Sequence, residues 1–314
     1  MTQTPIRRTT PAPFVQPEHS LPSKPSLGDT PGTVGNWVLT ELIAVGSVTR
    51  VWRARPEGAT ASPPGYAIKV LQKEWESNPH AVALIRREAL VGRRVAHPHL
   101  IPVLAAGTFC PPYYVVMPWL HGATLAWWLA RRPRLDPPLA FWVARQTAEA
   151  LSALHRAGWL HGDVKPENIF VSPEGHVTLL DLGFARRTDG SERPASHRLA
   201  GTSYYLAPEL AARVPRGDIR SDLYSLGVVL FEMLAGRRPF EGDGPAEVFE
   251  HHRQTPPPDL RQLAPGLPED AYHLVRQLLA KEPLRRPADP AEVAARLVAL
   301  EIATFTERTL VDSP

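Results

Sequence analysis

Cysteine is nearly absent from this 314-residue chain: Cys110 stands alone, so no internal disulfide can form. That excludes a disulfide-stapled scaffold, fits a reducing compartment and leads us to expect a cytoplasmic protein. Long hydrophobic runs are lacking as well. The longest, Leu223 to Ala235, is interrupted by Ser225 and Glu232 and is too short to span a bilayer. The N-terminus has no apolar signal core, so no membrane partner is expected. Charge of one sign is scarce: 35 Lys and Arg face 32 Asp and Glu, a net of +3. That excess is spread over many arginines and leaves no nucleic-acid footprint. No internal repeat is visible. Proline, by contrast, is abundant at 35 residues, roughly twice ordinary usage. Residues 1–36 are rich in Pro, Thr and Ser without a helical or strand period, which predicts a disordered tail. The remainder is long enough and apolar enough to bury one large or two small domains.

The most informative stretch is Trp159 to Gly183, WLHGDVKPENIFVSPEGHVTLLDLG. Asp163 and Asn168 lie five apart in a loop that Pro166 keeps out of helix. Two short β-prone runs follow, IFV and HVTLL, separated by the turn residues Ser172-Pro173-Glu174-Gly175. A hairpin there returns the chain so that Asp181 lies near Asn168. A carboxylate and an amide oxygen converging in this way suit magnesium, which prefers hard oxygen ligands. Asp163 is then left to orient a hydroxyl.

Upstream, WVLTELIAVGSVTRVWRA predicts two strands around a turn at Gly46-Ser47, and YAIKV a third. Asn78 and Pro79 are a cap and first-turn pair for a helix that His97-Pro98 ends. On its period Ala81, Ile85, Glu88 and Gly92 share one face. A carboxylate on that face is costly unless paired; the alternative is a half-exposed Glu88 beside Arg86 and Arg87. IPVLAAGTF and YYVVM predict two further strands. Asp136 and Pro137 open another helix. SDLYSLGVVLFEMLAG is apolar nearly all round and predicts a buried one.

Lys69, Glu88, HGDVKPEN, DLG, GTSYYLAPE, DLYSLG and RRP, in that order, resemble the eukaryotic-like (Hanks-type) serine/threonine protein kinases over residues 37–300, with a bacterial cast to the composition. The resemblance implies an α+β, two-lobed fold. An antiparallel five-stranded sheet plus the Glu88 helix would form a small lobe (37–117). A hinge would follow (118–120), then a mainly helical large lobe (121–303) and a flexible tail (304–314). It implies protein substrates, with ATP and Mg2+ (Mn2+ as the alternative) as cofactors. Asp163 would take the acceptor proton, Lys165 would contact the γ-phosphate, and Glu88 would hold Lys69 against the α- and β-phosphates. Asn168 and Asp181 would hold the metal. Ala44, Val45, Gly46, Val51, Ala67, Met117, Pro118, Leu120 and Phe170 would line the nucleotide site. Glu209 and Arg286 would form a structural ion pair.

Several positions depart from the family pattern. Gly162 replaces an arginine that meets an activation-loop phosphate, so activity independent of that phosphate is expected. Gly92 replaces a large apolar residue and is expected to leave a void that loosens the helix. Ala44 and Thr49 replace two loop glycines, which thins phosphate cover and keeps a weakly active, partner-binding scaffold open as an alternative. HGD with Asn five residues on also occurs in small-molecule phosphotransferases, which lack the GTSYYLAPE segment. Thr309-Leu310-Val311-Asp312 fits the T-x-x-D pattern that forkhead-associated domains bind once the threonine is phosphorylated.

Overall fold

The computed structural model describes residues 32–59, 65–190, 202–211 and 217–311. Its small lobe is one antiparallel sheet of six strands in the order β1-β2-β3-β4-β6-β5. The strands are β1 (Thr33–Val34), β2 (Trp37–Val45), β3 (Thr49–Pro56), β4 (Tyr66–Leu71), β5 (Ala105–Gly107) and β6 (Tyr114–Pro118). Five strands starting at Trp37 were expected, and β1 corrects that boundary. Thr33 and Val34 pair with Val38 and Trp37 across a tight turn at Gly35-Asn36. So short a strand has no period of its own and is specified by its partner. Val34 joins Leu39, Trp52, Ala54, Ile68 and Val116 in a small apolar layer on one face of the sheet.

Helix α1 (Pro79–Arg94) covers the other face. Asn78 caps it as predicted, its side chain accepting from the amides of His80 at 2.9 Å and Ala81 at 3.2 Å. Gly92 leaves no void, which corrects the expected one. A side-chain carbon added at Gly92 would lie 2.6 Å from Val103 Cγ2. Val103, which also bonds Gly92 O through its amide, takes the space that a larger residue would need, so the helix is seated.

The large lobe begins with β7 (Ala123–Thr124), α2 (Leu125–Arg131) and α3 (Pro137–Arg156). Next come β8 (Trp159–Leu160), β9 (Ile169–Val171), β10 (Val177–Leu179) and β11 (Arg186–Arg187), with β9 and β10 forming the predicted hairpin. Helices α4 (Pro208–Ala211), α5 (Ile219–Ala235), α6 (Pro245–Gln254), α7 (Leu260–Leu263), α8 (Glu269–Leu278) and α9 (Pro290–Val311) complete it. Apart from Arg220 and Glu232, every residue of α5 is buried, as its all-round apolarity predicts. α9 packs along α3, tied by Arg145 to Glu301 at 2.7 Å. The helix runs on to Val311, where a flexible tail from 304 was expected. Thr304 is buried and donates to Leu300 O at 2.7 Å, so the packed face reaches that boundary. Thr309 therefore lies within helix. Among the described residues, no helix is long and apolar enough to cross a membrane.

Candidate active site

Strand register and helix packing converge on the cleft between the lobes. β4 pairs with β3 and β6, setting Lys69 opposite Val51 and Val115. Lys69 Nζ lies 2.9 Å from Glu88 Oε2 and 2.8 Å from Asp181 Oδ1. One lysine thus joins the sheet, α1 and the large lobe. Burial alone would lower the Lys69 pKa, but Asp181 and Glu88 outweigh it and raise it. Burial pushes the Glu88 carboxyl up, to about 7, against the pull of Lys69. The nearby Asp181 carboxylate adds a like charge, which helps burial prevail there. Burial would also raise Asp181, but Lys69 draws it below the usual carboxylate range. Asp181 adopts a left-handed backbone, φ 58°, and accepts from Gly183 N at 3.2 Å, which turns its carboxylate toward the cleft.

The predicted loop brings Asp163, Lys165 and Asn168 together. Asn168 Nδ2 donates to Asp163 O at 2.8 Å and to its Oδ2 at 2.9 Å. Lys165 Nζ lies 2.7 Å from the same Oδ2. Asp163 Oδ1 is buried and has no hydrogen-bond partner. A buried acceptor without a donor is costly, and this oxygen has capacity for a further donor. Leu180 N donates to Asn168 O at 2.8 Å, which sets Asp181 beside the loop as the hairpin predicts.

Two residues behind this loop were not assigned roles from sequence. Asp222, at the start of α5, accepts from His161 N at 2.7 Å and Gly162 N at 2.9 Å. His161 Nε2 lies 2.9 Å from Leu180 O, which can only accept, so that nitrogen carries the proton. Its Nδ1 then accepts from Asp163 N at 3.2 Å. Gly162 has a second role beyond the missing arginine. At φ 80°, an added side-chain carbon would sit 2.7 Å from Phe184 O, so the loop packs closer than any side chain allows.

The residues expected to line a nucleotide are distributed as follows. Ala44 and Val45 end β2, and Val45 is 55 % exposed. Gly46 N donates to Thr49 O at 2.8 Å, and Gln72 Nε2 donates to Gly46 O at 2.7 Å. The hairpin tip is therefore closed on itself, and its middle amide is engaged. Ala67 pairs with Met117, and Tyr66 with Pro118. Met117 is buried, while Pro118, Leu120 and Phe170 are half-buried. Trp119 N donates to Gly65 O at 3.0 Å and ties the hinge to β4.

Below the loop, Glu209 and Arg286 form the expected pair, bidentate at 2.8 and 2.9 Å. Arg286 also donates to the carbonyls of Ala280, Arg220 and Lys281. Tyr205 Oη donates to Glu232 at 2.7 Å and Ser225 Oγ donates to Tyr205 O at 2.7 Å, seating the GTSYYLAPE turn on α5. Ser191 and Ser196, between DLG and GTSYYLAPE, lie outside the described residues.

Comparison with known proteins agrees with this arrangement. The family described as the protein kinase domain matches residues 37–298. The chain is 35 % identical over 257 residues to the serine/threonine-protein kinase PknA of Mycobacterium tuberculosis, covering 80 % of this chain and 58 % of that one. It is 31 % identical over 275 residues to the serine/threonine-protein kinase drp72 of Corynebacterium efficiens, covering 85 % of this chain and 51 % of that one. The chain thus spans only about half the length of these curated relatives. Its fold, its paired lysines and carboxylates, and its match over nearly the whole described region place it in the protein kinase domain family, beside the serine/threonine kinases of bacteria.

Proposed function

We propose that this domain transfers the γ-phosphoryl group of ATP to serine or threonine hydroxyls of proteins, itself among them. The unpartnered Asp163 Oδ1 carries the proposal: it is placed to accept the proton of an acceptor hydroxyl, while Oδ2 stays fixed by Asn168 and Lys165. Phosphoryl transfer asks mainly for positioning and charge neutralisation. Lys69 and Lys165 supply cations from opposite sides of the cleft. With the Gly46 amide engaged and two loop glycines replaced, the lysines bear more of the phosphate charge than the hairpin does.

Asp181 and Asn168 would hold Mg2+, or Mn2+ as the alternative. Their carboxylate and amide oxygens are hard donors, and among the described residues no three His, Cys, Asp or Glu side chains form a metal cage. Two protein donors suit an ion that keeps water and phosphate oxygens in its shell. When bound, the metal supplies further neutralisation of phosphate charge.

Gly162 supports activity that does not wait for an activation-loop phosphate, since that position offers no cation. The GTSYYLAPE turn favours a protein acceptor over a small molecule. We place the domain in the cytoplasm, on its single free Cys110. Phosphorylated Thr309 is a candidate ligand for a forkhead-associated domain, in a segment where α9 would have to open.

The test is incubation with labelled ATP and Mg2+, wild type beside Asp163→Asn, followed by mass spectrometry. We expect serine and threonine labelling in the wild type and a loss of about 10²–10⁴-fold in the variant. A wild type whose melting temperature rises with Mg-ATP, yet which labels nothing, would instead support the scaffold reading.

A further inference from the structure

Three elements of the large lobe meet at His252 on α6. The residue is fully buried, one helical turn after buried Val248. Its ring nitrogens face groups whose roles fix the tautomer. Nε2 lies 3.0 Å from Tyr204 O, which can only accept, so Nε2 carries the proton. Nδ1 then holds the lone pair and accepts from Tyr224 Oη at 2.8 Å. The ring meets Phe240 edge-on at 4.8 Å and Tyr224 at 5.6 Å. Lys281 Nζ donates to the carbonyls of His251 at 3.1 Å and His252 at 2.8 Å, and sits 3.9 Å over the Phe240 ring. Tyr224 lies 4.7 Å from the guanidinium of Arg286, the partner of Glu209. Burial holds the imidazole below its usual range, at about 4, so one neutral tautomer persists at neutral pH.

The carbonyl that His252 holds belongs to the turn on which an acceptor chain would lie. Tyr204 is restrained again at its ring, where Arg238 stacks at 3.7 Å. The next carbonyl, of Tyr205, is held by Ser225 of α5. Burial, then Glu232 and then Glu167, push the Tyr205 phenol up. Ser225 lies on α5 three residues past Asp222, whose carboxylate holds the amides of His161 and Gly162, so one helix supports both the turn and the catalytic loop. Successive carbonyls are thus fixed by buried side chains from two helices, one of which also holds the catalytic loop.

We propose that His252 is a positioning residue for the acceptor chain: its Nε2–H, on the Tyr204 carbonyl, sets the Tyr204–Tyr205 turn against Asp163 and so governs acceptor binding rather than nucleotide binding. The inference rests on the protein-acceptor reading above. Dephosphorylated casein is the probe, with casein and ATP titrated separately on the wild type, His252→Phe, His252→Gln and Tyr224→Phe.

His252→Phe keeps an aromatic ring against Phe240 and removes the donor. It should raise the KM for casein about tenfold while the KM for ATP stays within about twofold. His252→Gln places an amide N–H within reach of the same carbonyl and should recover most of the loss. Tyr224→Phe frees the tautomer without removing the ring and should raise the casein KM about threefold; it decides the matter if His252→Phe does not fold. An unmoved casein KM, a parallel rise in both KM values, or no recovery with Gln would overturn the proposal. A wild type that binds ATP but labels no casein would remove the acceptor reading first, and this inference with it.

Discussion

Two buried ion pairs bracket the site, and they differ in kind. Above the cleft, Lys69 divides its charge between Glu88 at 2.9 Å and Asp181 at 2.8 Å. Below it, Arg286 grips Glu209 through two aligned hydrogen bonds and spends its other donors on three carbonyls. Either Glu88 or Asp181 can release Lys69 without leaving it unpaired, and Glu88 can take a proton. The Arg286 guanidinium cannot lose one. The upper pair is therefore suited to rearrange when phosphates arrive, and the lower pair to stay put. Charge in this domain is thus shared among several partners at one end and locked to a single partner at the other.

The sharpest test of this contrast is Lys69→Met. It removes the cation nearest the expected phosphates and should cost about 10²–10³-fold in kcat. Its effect on unfolding should be smaller than that of Glu209→Gln, because Glu88, already raised to about 7 by burial, can turn neutral and Asp181 keeps contact with solvent. A large fall in stability would break the comparison from above. Glu209→Gln should do the reverse. It strands a guanidinium with no exposed surface and should lower the unfolding free energy by about 3–5 kcal/mol in urea titration. A stable Glu209→Gln protein would break the comparison from below.

The smallest effect is one of pH, and it belongs to the lower half. His252 titrates at about 4 when folded against 6.5 unexposed to the fold. The native state thus binds fewer protons than the unfolded chain between those values. Its contribution is fully present above pH 6.5 and is lost as pH falls toward 4, by at most about 3 kcal/mol. Urea unfolding across that window should show His252→Gln losing less stability than the wild type. Equal acid losses in the two proteins would remove His252 as the lower half's pH-sensitive group.

What could be read in advance follows the range of the interactions. The α1 cap at Asn78, the buried α5 and the β9–β10 hairpin rest on neighbours a few residues apart, and all were legible. So were Lys69, Glu88, Asp163, Asn168 and Asp181, as candidates, because order and spacing carry them. The seat of Gly92 was not, since Val103 reaches it from another segment. β1 was invisible because two residues cannot display a period. The bonding of His252 left only a faint signal, its i,i+4 spacing from Val248 on a helix of mixed polarity. Near 304 the helix α9 continues without a break, and Thr304 itself still packs, which a mixed run of polar and apolar residues does not announce.

Asp222 has a consequence of a different sort. Both of its oxygens are committed to consecutive amides of the catalytic loop, at 2.7 and 2.9 Å, from the first turn of a helix that is buried almost throughout. The side chain therefore acts as a gauge block between a rigid axle and a working tip. One more methylene would lengthen it by about 1.5 Å, and a displacement of about 1 Å at reacting groups can cost roughly 10²-fold. Aspartate and glutamate carry the same charge, but here they would be different tolerances, and the machine is cut to one of them.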